Sequence, residues 1–328
     1  MKIAAFGCLK EEMPYFEQMR QKENVDIVTI PEILNDENLQ MAAGCDAISV
    51  LATSHVTADR MKTLKSLGIK YVGARCVGYN HIDIDSAKEQ GIRVCNAVYS
   101  QHCVADFTMM LMLMCVRKAG FILDKNKSYD YSLYGECGSE MPDMTVGIIG
   151  TGRIGAAVAQ RVRGFGSKII AFDLYKNPDL EDFVEYVSLE ELFARADIIT
   201  LHCTLNEHTY HLLNHDTLNK CKDSVILINA ARGELIDTSA LIDALDSGKI
   251  GGAGIDCFED EYGIIQADVN YDIRKRHDII LLQNYPNVIF TPHVAFYTKQ
   301  AIRDLVVQGV NNLLQFETMA ENPAEIKK

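Results

Sequence analysis

The segment TVGIIGTGRIGAAVAQRV, residues 145–162, is the most informative part of the sequence about the architecture. A strand-forming run leads into Gly150-x-Gly152-x-x-Gly155, and small and apolar residues at helical spacing follow. In such a strand–turn–helix unit the first glycine permits the tight turn, the second lets the backbone approach a pyrophosphate, and the third lets helix and strand pack closely. The helix N-terminus offers N–H groups and the positive end of its dipole to the phosphates. The stretch therefore predicts a dinucleotide-binding unit rather than a simple tight turn.

An acidic residue follows at the separation that this unit requires. Asp173 ends the next strand-forming run, KIIAFD, eighteen residues after Gly155. A carboxylate at this position accepts hydrogen bonds from the adenosine ribose hydroxyls and repels a 2′-phosphate. The sequence therefore predicts NAD, not NADP, as the cofactor.

Short apolar runs alternate with helical stretches on both sides of the glycine turn. The runs are KIAAFG (2–7), VDIVTI (25–30), AISVL (47–51), YVGARC (71–76), VCNAV (94–98), TVGIIG (145–150), KIIAFD (168–173), DIITLH (197–202), SVILIN (224–229), GGAGID (251–256) and NVIFT (287–291). This alternation predicts an α/β protein with two doubly wound parallel-sheet domains. We expect a Rossmann cofactor domain, residues 101–296, inserted in a flavodoxin-like substrate domain formed by residues 1–100 plus 297–328.

Composition excludes several partners. The 328 residues are 48% hydrophobic and carry a formal net charge of -13, which opposes binding to nucleic acid or to an anionic membrane. The apolar run VADFTMMLMLMCV (104–116) is shorter than the roughly 20 residues of a membrane span, and we expect a buried helix there. The ten cysteines include no C-x-x-C pair, which predicts free thiols in a reducing cytoplasm and no metal site.

Three later strand-forming runs each end in a chemically active residue: Arg232 follows SVILIN, Glu261 follows GGAGID, and His293 follows NVIFTP. In an open parallel sheet, ligands bind outside the carboxyl ends of the strands, so we expect the three side chains at one edge. An imidazole can supply the proton that a ketone needs during hydride transfer, a carboxylate can orient that imidazole, and a guanidinium can bind a substrate carboxylate. Taken one at a time, each residue also has a purely structural explanation: Arg232 could belong to a surface ion pair, Glu261 to an acidic loop, and His293 to a strand end with satisfied hydrogen bonds.

The segments GTGRIG, NAARGELID, GIDCFEDE and TPHVAFYT, in that order, resemble the D-2-hydroxyacid dehydrogenase family. The resemblance is closest to the D-lactate dehydrogenase branch, including relatives from vancomycin-resistance clusters, and extends to D-2-hydroxyisocaproate dehydrogenases. It implies that His293 is the acid/base, that Glu261 orients it, and that Arg232 binds and polarises the 2-oxo acid. The implied cofactor contacts are Gly150, Gly152, Arg153, Ile154, Gly155, Asp173, Thr204, Leu205, Ala230, Ala231 and Asp256. The implied substrate contacts are Val77, Gly78, Tyr99, Arg232 and Phe296.

The resemblance also implies an activity: reversible, NADH-dependent reduction of pyruvate to D-lactate, in a homodimer that pairs through its cofactor domains. The D configuration follows from the resemblance alone. A bulkier 2-oxo acid, such as 2-oxoisocaproate or phenylpyruvate, is the alternative substrate. A non-catalytic NAD-sensing scaffold is the alternative from a different functional class.

Overall fold

The computed structural model describes residues 1–135, 137–265, 273–319 and 321–327. The chain divides into two compact units, Met1–Ser100 with Tyr297–Lys328, and Gln101–Phe296. The described strands are β1 (Lys2–Phe6), β2 (Asp26–Ile30), β3 (Ala47–Val50), β4 (Tyr71–Ala74), β5 (Arg93–Asn96), β6 (Thr145–Ile149), β7 (Lys168–Phe172), β8 (Glu185–Tyr186), β9 (Ile198–Leu201), β10 (Val225–Asn229), β11 (Ile250–Ile255) and β12 (Val288–Phe290). The described helices are α1 (Met13–Glu23), α2 (Ala58–Ser66), α3 (Ile84–Glu89), α4 (His102–Val116), α5 (Ala119–Lys127), α6 (Arg153–Gly164), α7 (Leu189–Arg195), α8 (His215–Asn219), α9 (Thr238–Asp246), α10 (His277–Asn284) and α11 (Lys299–Thr318).

The first unit is built on a five-stranded parallel sheet in the order β2-β1-β3-β4-β5, which is the flavodoxin-like order. Its last helix, α11, packs on β4: a Cβ added to Gly73 would lie 3.0 Å from the Leu313 side chain. The rings of Tyr71 and Phe316 stack with centroids 5.0 Å apart. This unit is therefore assembled from both ends of the chain.

The second unit is built on a seven-stranded parallel sheet in the order β12-β11-β10-β9-β6-β7-β8. The chain runs outward from β6 through β7 to β8 and then returns to β9 on the other side of β6. This reversal creates the topological switch point at which doubly wound sheets bind their ligands. The prediction of two parallel-sheet α/β domains, one Rossmann and one flavodoxin-like, is confirmed.

The register of this sheet aligns the carboxyl ends of six strands. One row of paired residues crosses the sheet, composed of Phe172, Ile149, Leu201, Asn229, Ile255 and Phe290. The residues that follow this row in each strand therefore emerge together along a single edge.

Two details differ from the sequence-based expectation. The two-residue strand β8 was not predicted, because so short a segment has no periodicity to detect. The helix expected near residue 104 begins at His102 and ends at Val116; it buries Val104, Leu111 and Met112 but leaves Met110 exposed. Among the described residues, no helix is both long and apolar enough to cross a bilayer.

Candidate active site

The glycine turn after β6 has the geometry that a dinucleotide requires. Gly150 has φ +93°, and a Cβ there would lie 2.6 Å from the Cys203 amide nitrogen. A Cβ on Gly155 would overlap the Gly150 carbonyl oxygen, so only glycine allows this contact between helix and strand. A Cβ on Gly152, by contrast, would meet nothing within 4 Å, which leaves open space above the N-terminus of α6. The turn therefore fits a bound pyrophosphate.

Asp173 emerges from β7 beside this turn. Its Oδ2 accepts hydrogen bonds from the Thr151 amide at 2.5 Å and from Thr151 Oγ1 at 3.1 Å. Its Oδ1 accepts from the Tyr175 amide at 3.0 Å. The Tyr186 hydroxyl donates to Thr151 Oγ1 at 3.0 Å, so the carboxylate is held by a connected network. A fixed negative charge at this edge suits ribose hydroxyls and disfavours a 2′-phosphate.

Asp256, directly after β11, organises the loop that carries His293. The aspartate is fully buried, and its carboxylate accepts from Thr291 Oγ1 at 2.6 Å and from the amides of Val294 and Ala295 at 3.0 Å each. Its backbone carbonyl accepts from the His293 amide at 2.8 Å. His293 has φ +53°, a left-handed conformation that is costly for a residue with a Cβ and that these bonds maintain. These contacts position the histidine, whereas the cofactor contact expected of Asp256 remains a prediction.

His293 and Glu261 are joined by a short hydrogen bond. The imidazole Nδ1 lies 2.5 Å from Glu261 Oε1, and the two side chains are 21% and 17% exposed. The second oxygen, Oε2, accepts from the Phe258 amide at 3.2 Å. Because the ring nitrogen faces a carboxylate, Nδ1 is the donor of this bond.

The pKa of His293 reflects this contact. Burial, the largest influence, lowers the pKa of the imidazole, but Cys257 and Glu261 together outweigh it and the net pKa lies well above its ordinary value. Burial also raises the pKa of the Cys257 thiol, against the lowering influence of His293. Glu261 supplies the negative charge that stabilises the imidazolium. The histidine is thus a proton donor available around neutral pH.

The loop of Arg232 is tied to the loop of Glu261. The fully buried Asn229 donates through Nδ2 to the Arg232 carbonyl at 2.8 Å and to the Cys257 carbonyl at 3.2 Å. A Cβ on Gly233 would lie 2.5 Å from the Glu259 amide nitrogen and closer still to the Phe258 carbonyl group. The two backbones are therefore in direct contact, and Arg232 is half-buried at the same edge as Glu261.

Three donor atoms that could serve as metal ligands meet here. Cys257 Sγ, a Glu261 oxygen and a His293 nitrogen all lie within 4.8 Å of one another. No spacing in the sequence indicates this group, because the cysteine and the histidine follow different strands. In the protein as described, Nδ1 is engaged with Glu261, and the imidazole is available for acid–base chemistry.

The other predicted residues occupy the following positions. Arg153, Ile154 and Gly155 form the first turn of α6, Thr204 and Leu205 follow β9, Ala230 and Ala231 follow β10, Phe296 follows β12, and Val77, Gly78 and Tyr99 belong to the first unit. The ring of Phe296 meets that of His293 edge-on, with centroids 6.5 Å apart. Sequence reasoning missed Asn229 and Cys257, whose roles depend on contacts between neighbouring strand ends.

Comparison with known proteins agrees with this geometry. Residues 109–295 match the family model described as D-isomer specific 2-hydroxyacid dehydrogenase, NAD binding domain. The chain is 39% identical over 319 residues to an aromatic 2-oxoacid reductase of Clostridium sporogenes, covering 97% of this chain and 96% of that one. It is 36% identical over 330 residues to a D-lactate dehydrogenase of Lactiplantibacillus plantarum, covering 100% and 99%. The crystal structure of a D-lactate dehydrogenase from Treponema pallidum superposes with a TM-score of 0.89 at 31% identity and 100% coverage of both chains.

The chain belongs to the D-isomer specific 2-hydroxyacid dehydrogenase family. It is an NAD-dependent oxidoreductase that acts on small 2-hydroxy and 2-oxo acids, and the predictions of family, enzyme class and cofactor are confirmed.

Proposed function

We propose that this enzyme reduces pyruvate to D-lactate with NADH and catalyses the reverse oxidation. The observation that carries the proposal is the 2.5 Å contact between His293 Nδ1 and Glu261 Oε1 at the carboxyl edge of the cofactor-binding sheet. A histidine held in this way is an acid of suitable strength for a carbonyl oxygen that gains negative charge. The identity to a D-lactate dehydrogenase over the whole chain supports pyruvate as the substrate.

Each residue has a defined step in this reaction. The glycine turn of Gly150, Gly152 and Gly155, together with Asp173, would hold NADH, whose chemistry here would be to supply a hydride to C2 of the oxo acid. His293 transfers the proton on Nε2 to the carbonyl oxygen, which becomes the hydroxyl, and the neutral imidazole then regains a proton from solvent. Glu261 keeps the ring in the orientation that directs Nε2 away from the carboxylate. Arg232 binds the acid through its guanidinium fork and polarises the carbonyl.

The turn after β4 supports a carboxylate-binding role for Val77 and Gly78. Within the described residues the N–H groups of both donate no hydrogen bond, whereas their carbonyls are engaged. The Val77 carbonyl accepts from Asn96 Nδ2 at 2.7 Å, and the Gly78 carbonyl accepts from Cys76 Sγ at 3.1 Å. Because a trans peptide directs N–H and C=O oppositely, the Gly78 amide points away from Asn96. Such N–H groups suit an anionic oxygen.

A substrate comparison tests the proposal. We expect kcat/KM with NADH to be highest for pyruvate among pyruvate, 2-oxoisocaproate and phenylpyruvate. A clearly higher value for phenylpyruvate would favour the aromatic alternative, which the identity to an aromatic 2-oxoacid reductase also supports. NADH binding without turnover on any of the acids would favour a scaffold.

We further propose that the enzyme is a homodimer that pairs through its cofactor domains. Four large side chains of the second unit lie almost fully in solvent: Tyr129, Tyr131, Leu133 and Tyr134, exposed at 81%, 74%, 86% and 87%. A cluster of exposed aromatic and aliphatic side chains is typical of an interaction surface. Light scattering should give twice the chain mass, and the double variant Tyr131→Ser, Leu133→Ser should shift the measured mass towards that of the monomer.

The ten free cysteines support a cytoplasmic location, which cell fractionation would test.

A further inference from the structure

Arg276 forms two hydrogen bonds with the turn that carries Glu261. Its Nη1 donates to the Asp260 carbonyl at 2.6 Å, and its Nη2 donates to the Glu259 carbonyl at 2.8 Å. These are consecutive carbonyls immediately before Glu261, and a guanidinium presents its donors in a rigid fork that fixes both at once. We propose that Arg276 is a positioning residue for catalysis: it holds this turn so that the carboxylate of Glu261 meets His293. The inference rests on the proposed function.

The turn depends on such support because its backbone is strained. Asp260 has φ +51°, in the left-handed region that a residue with a Cβ adopts less readily than glycine. Glu261 folds back so that Oε2 accepts from the Phe258 amide while Oε1 faces the imidazole. Relaxation at Asp260 would therefore displace the carboxylate from both partners.

Arg276 is itself held in place. Asp278 accepts from Nε at 2.9 Å and from Nη2 at 2.6 Å, and the arginine side chain is only 14% exposed. The hydrogen bond from Arg276 lowers the pKa of Asp278, which is therefore ionised at neutral pH. The guanidinium of Arg276 also lies 5.9 Å from the centre of the Phe258 ring. A preorganised fork loses little conformational entropy when it binds the two carbonyls.

Arg276 lies between Asp260 and Pro286, in a segment without any of the motifs that indicate site residues. No function could be assigned to this segment from the sequence alone. The hydrogen bonds of Arg276 indicate that this part of the segment holds the loop of Glu261, which orients the acid/base His293.

A double-mutant cycle tests this inference. We expect Arg276→Met to lower kcat for pyruvate roughly 10- to 100-fold, because a displacement near 1 Å at a catalytic group has effects of this size. The Kd for NADH should not change. In a Glu261→Gln background, the same substitution should lower kcat less than about threefold, because the residue acts through Glu261. Arg276→Met should also shift the alkaline limb of the pH profile in the direction that Glu261→Gln does, which loss of stability alone would not do.

Three further variants complete the design. Arg276→Lys keeps the charge but lacks the fork, so it should resemble Arg276→Met; wild-type turnover would contradict the positioning role. Arg195→Met removes a surface arginine that pairs with Glu185 and Glu191, and it should leave kcat unchanged. If Arg276→Met fails to fold, Asp278→Asn takes its place in the cycle, with a smaller loss in the same direction.

The outcomes separate the inference from the function on which it rests. Additive losses in the cycle, or no loss in either Arg276→Met or Asp278→Asn, would overturn the role of Arg276 while leaving that of Glu261 intact. Wild-type turnover in Glu261→Gln alone would contradict the proposed role of Glu261, and the inference would fall with it.

Discussion

Replacing Gly233 with alanine should impair catalysis through the contact between two loops. Gly233 does not have a positive φ, so the backbone conformation itself permits alanine. The new Cβ, however, would lie 2.5 Å from the Glu259 amide nitrogen, whereas ordinary contact begins near 3.4 Å. The loops of Arg232 and Glu261 must therefore separate by about 0.9 Å or more. Forced overpacking of this kind costs about 1–3 kcal/mol of stability.

The catalytic loss should exceed what this destabilisation explains. A shift near 1 Å at a catalytic group lowers turnover on the order of 10²-fold, so we expect kcat/KM for pyruvate to fall by about that factor in folded Gly233→Ala. Steady-state kinetics measure kcat/KM, fluorescence titration measures the Kd for NADH, and thermal unfolding measures the loss of stability. Gly164→Ala is the matched control, since its Cβ would meet nothing within 4 Å. Near-wild-type kinetics in Gly233→Ala would refute the coupling of the two loops.

Four further substitutions test the assigned roles. His293→Ala should lower turnover ~10²–10⁴-fold while NADH still binds by fluorescence titration; loss of cofactor binding instead would contradict a proton-transfer role. Arg232→Lys should raise the KM for the oxo acid more than that for NADH, because an ammonium cannot reproduce the fork, and an unchanged KM would count against substrate binding. Asp173→Ala should weaken the preference for NADH over NADPH, and the ratio of the two kcat/KM values measures it. Cys257 and Glu261 together raise the pKa of His293, and Glu261→Gln removes the second of these influences. Because reduction needs the protonated imidazole, which is lost as pH rises through its pKa, the alkaline limb should move to lower pH; an unmoved limb would show that Glu261 does not set it.

The sequence predicted the elements of this protein better than the contacts among them. The glycine turn and Asp173 could be assigned because their roles follow from local backbone geometry and from a fixed separation. His293 could be placed at a strand end, but its left-handed φ could not be foreseen, since the bonds that maintain it come from Asp256, which follows the neighbouring strand. Asn229 and Arg276 act through backbone carbonyls of other segments, and such contacts leave no pattern in the sequence.

The chirality of the product is the decisive measurement for the proposed reaction. The purified protein, incubated with pyruvate and NADH, should form one lactate for each NADH oxidised, and chiral chromatography should identify that lactate as the D isomer. The same incubation with His293→Ala should yield almost none. Formation of L-lactate, or an undiminished yield without the imidazole, would contradict the account.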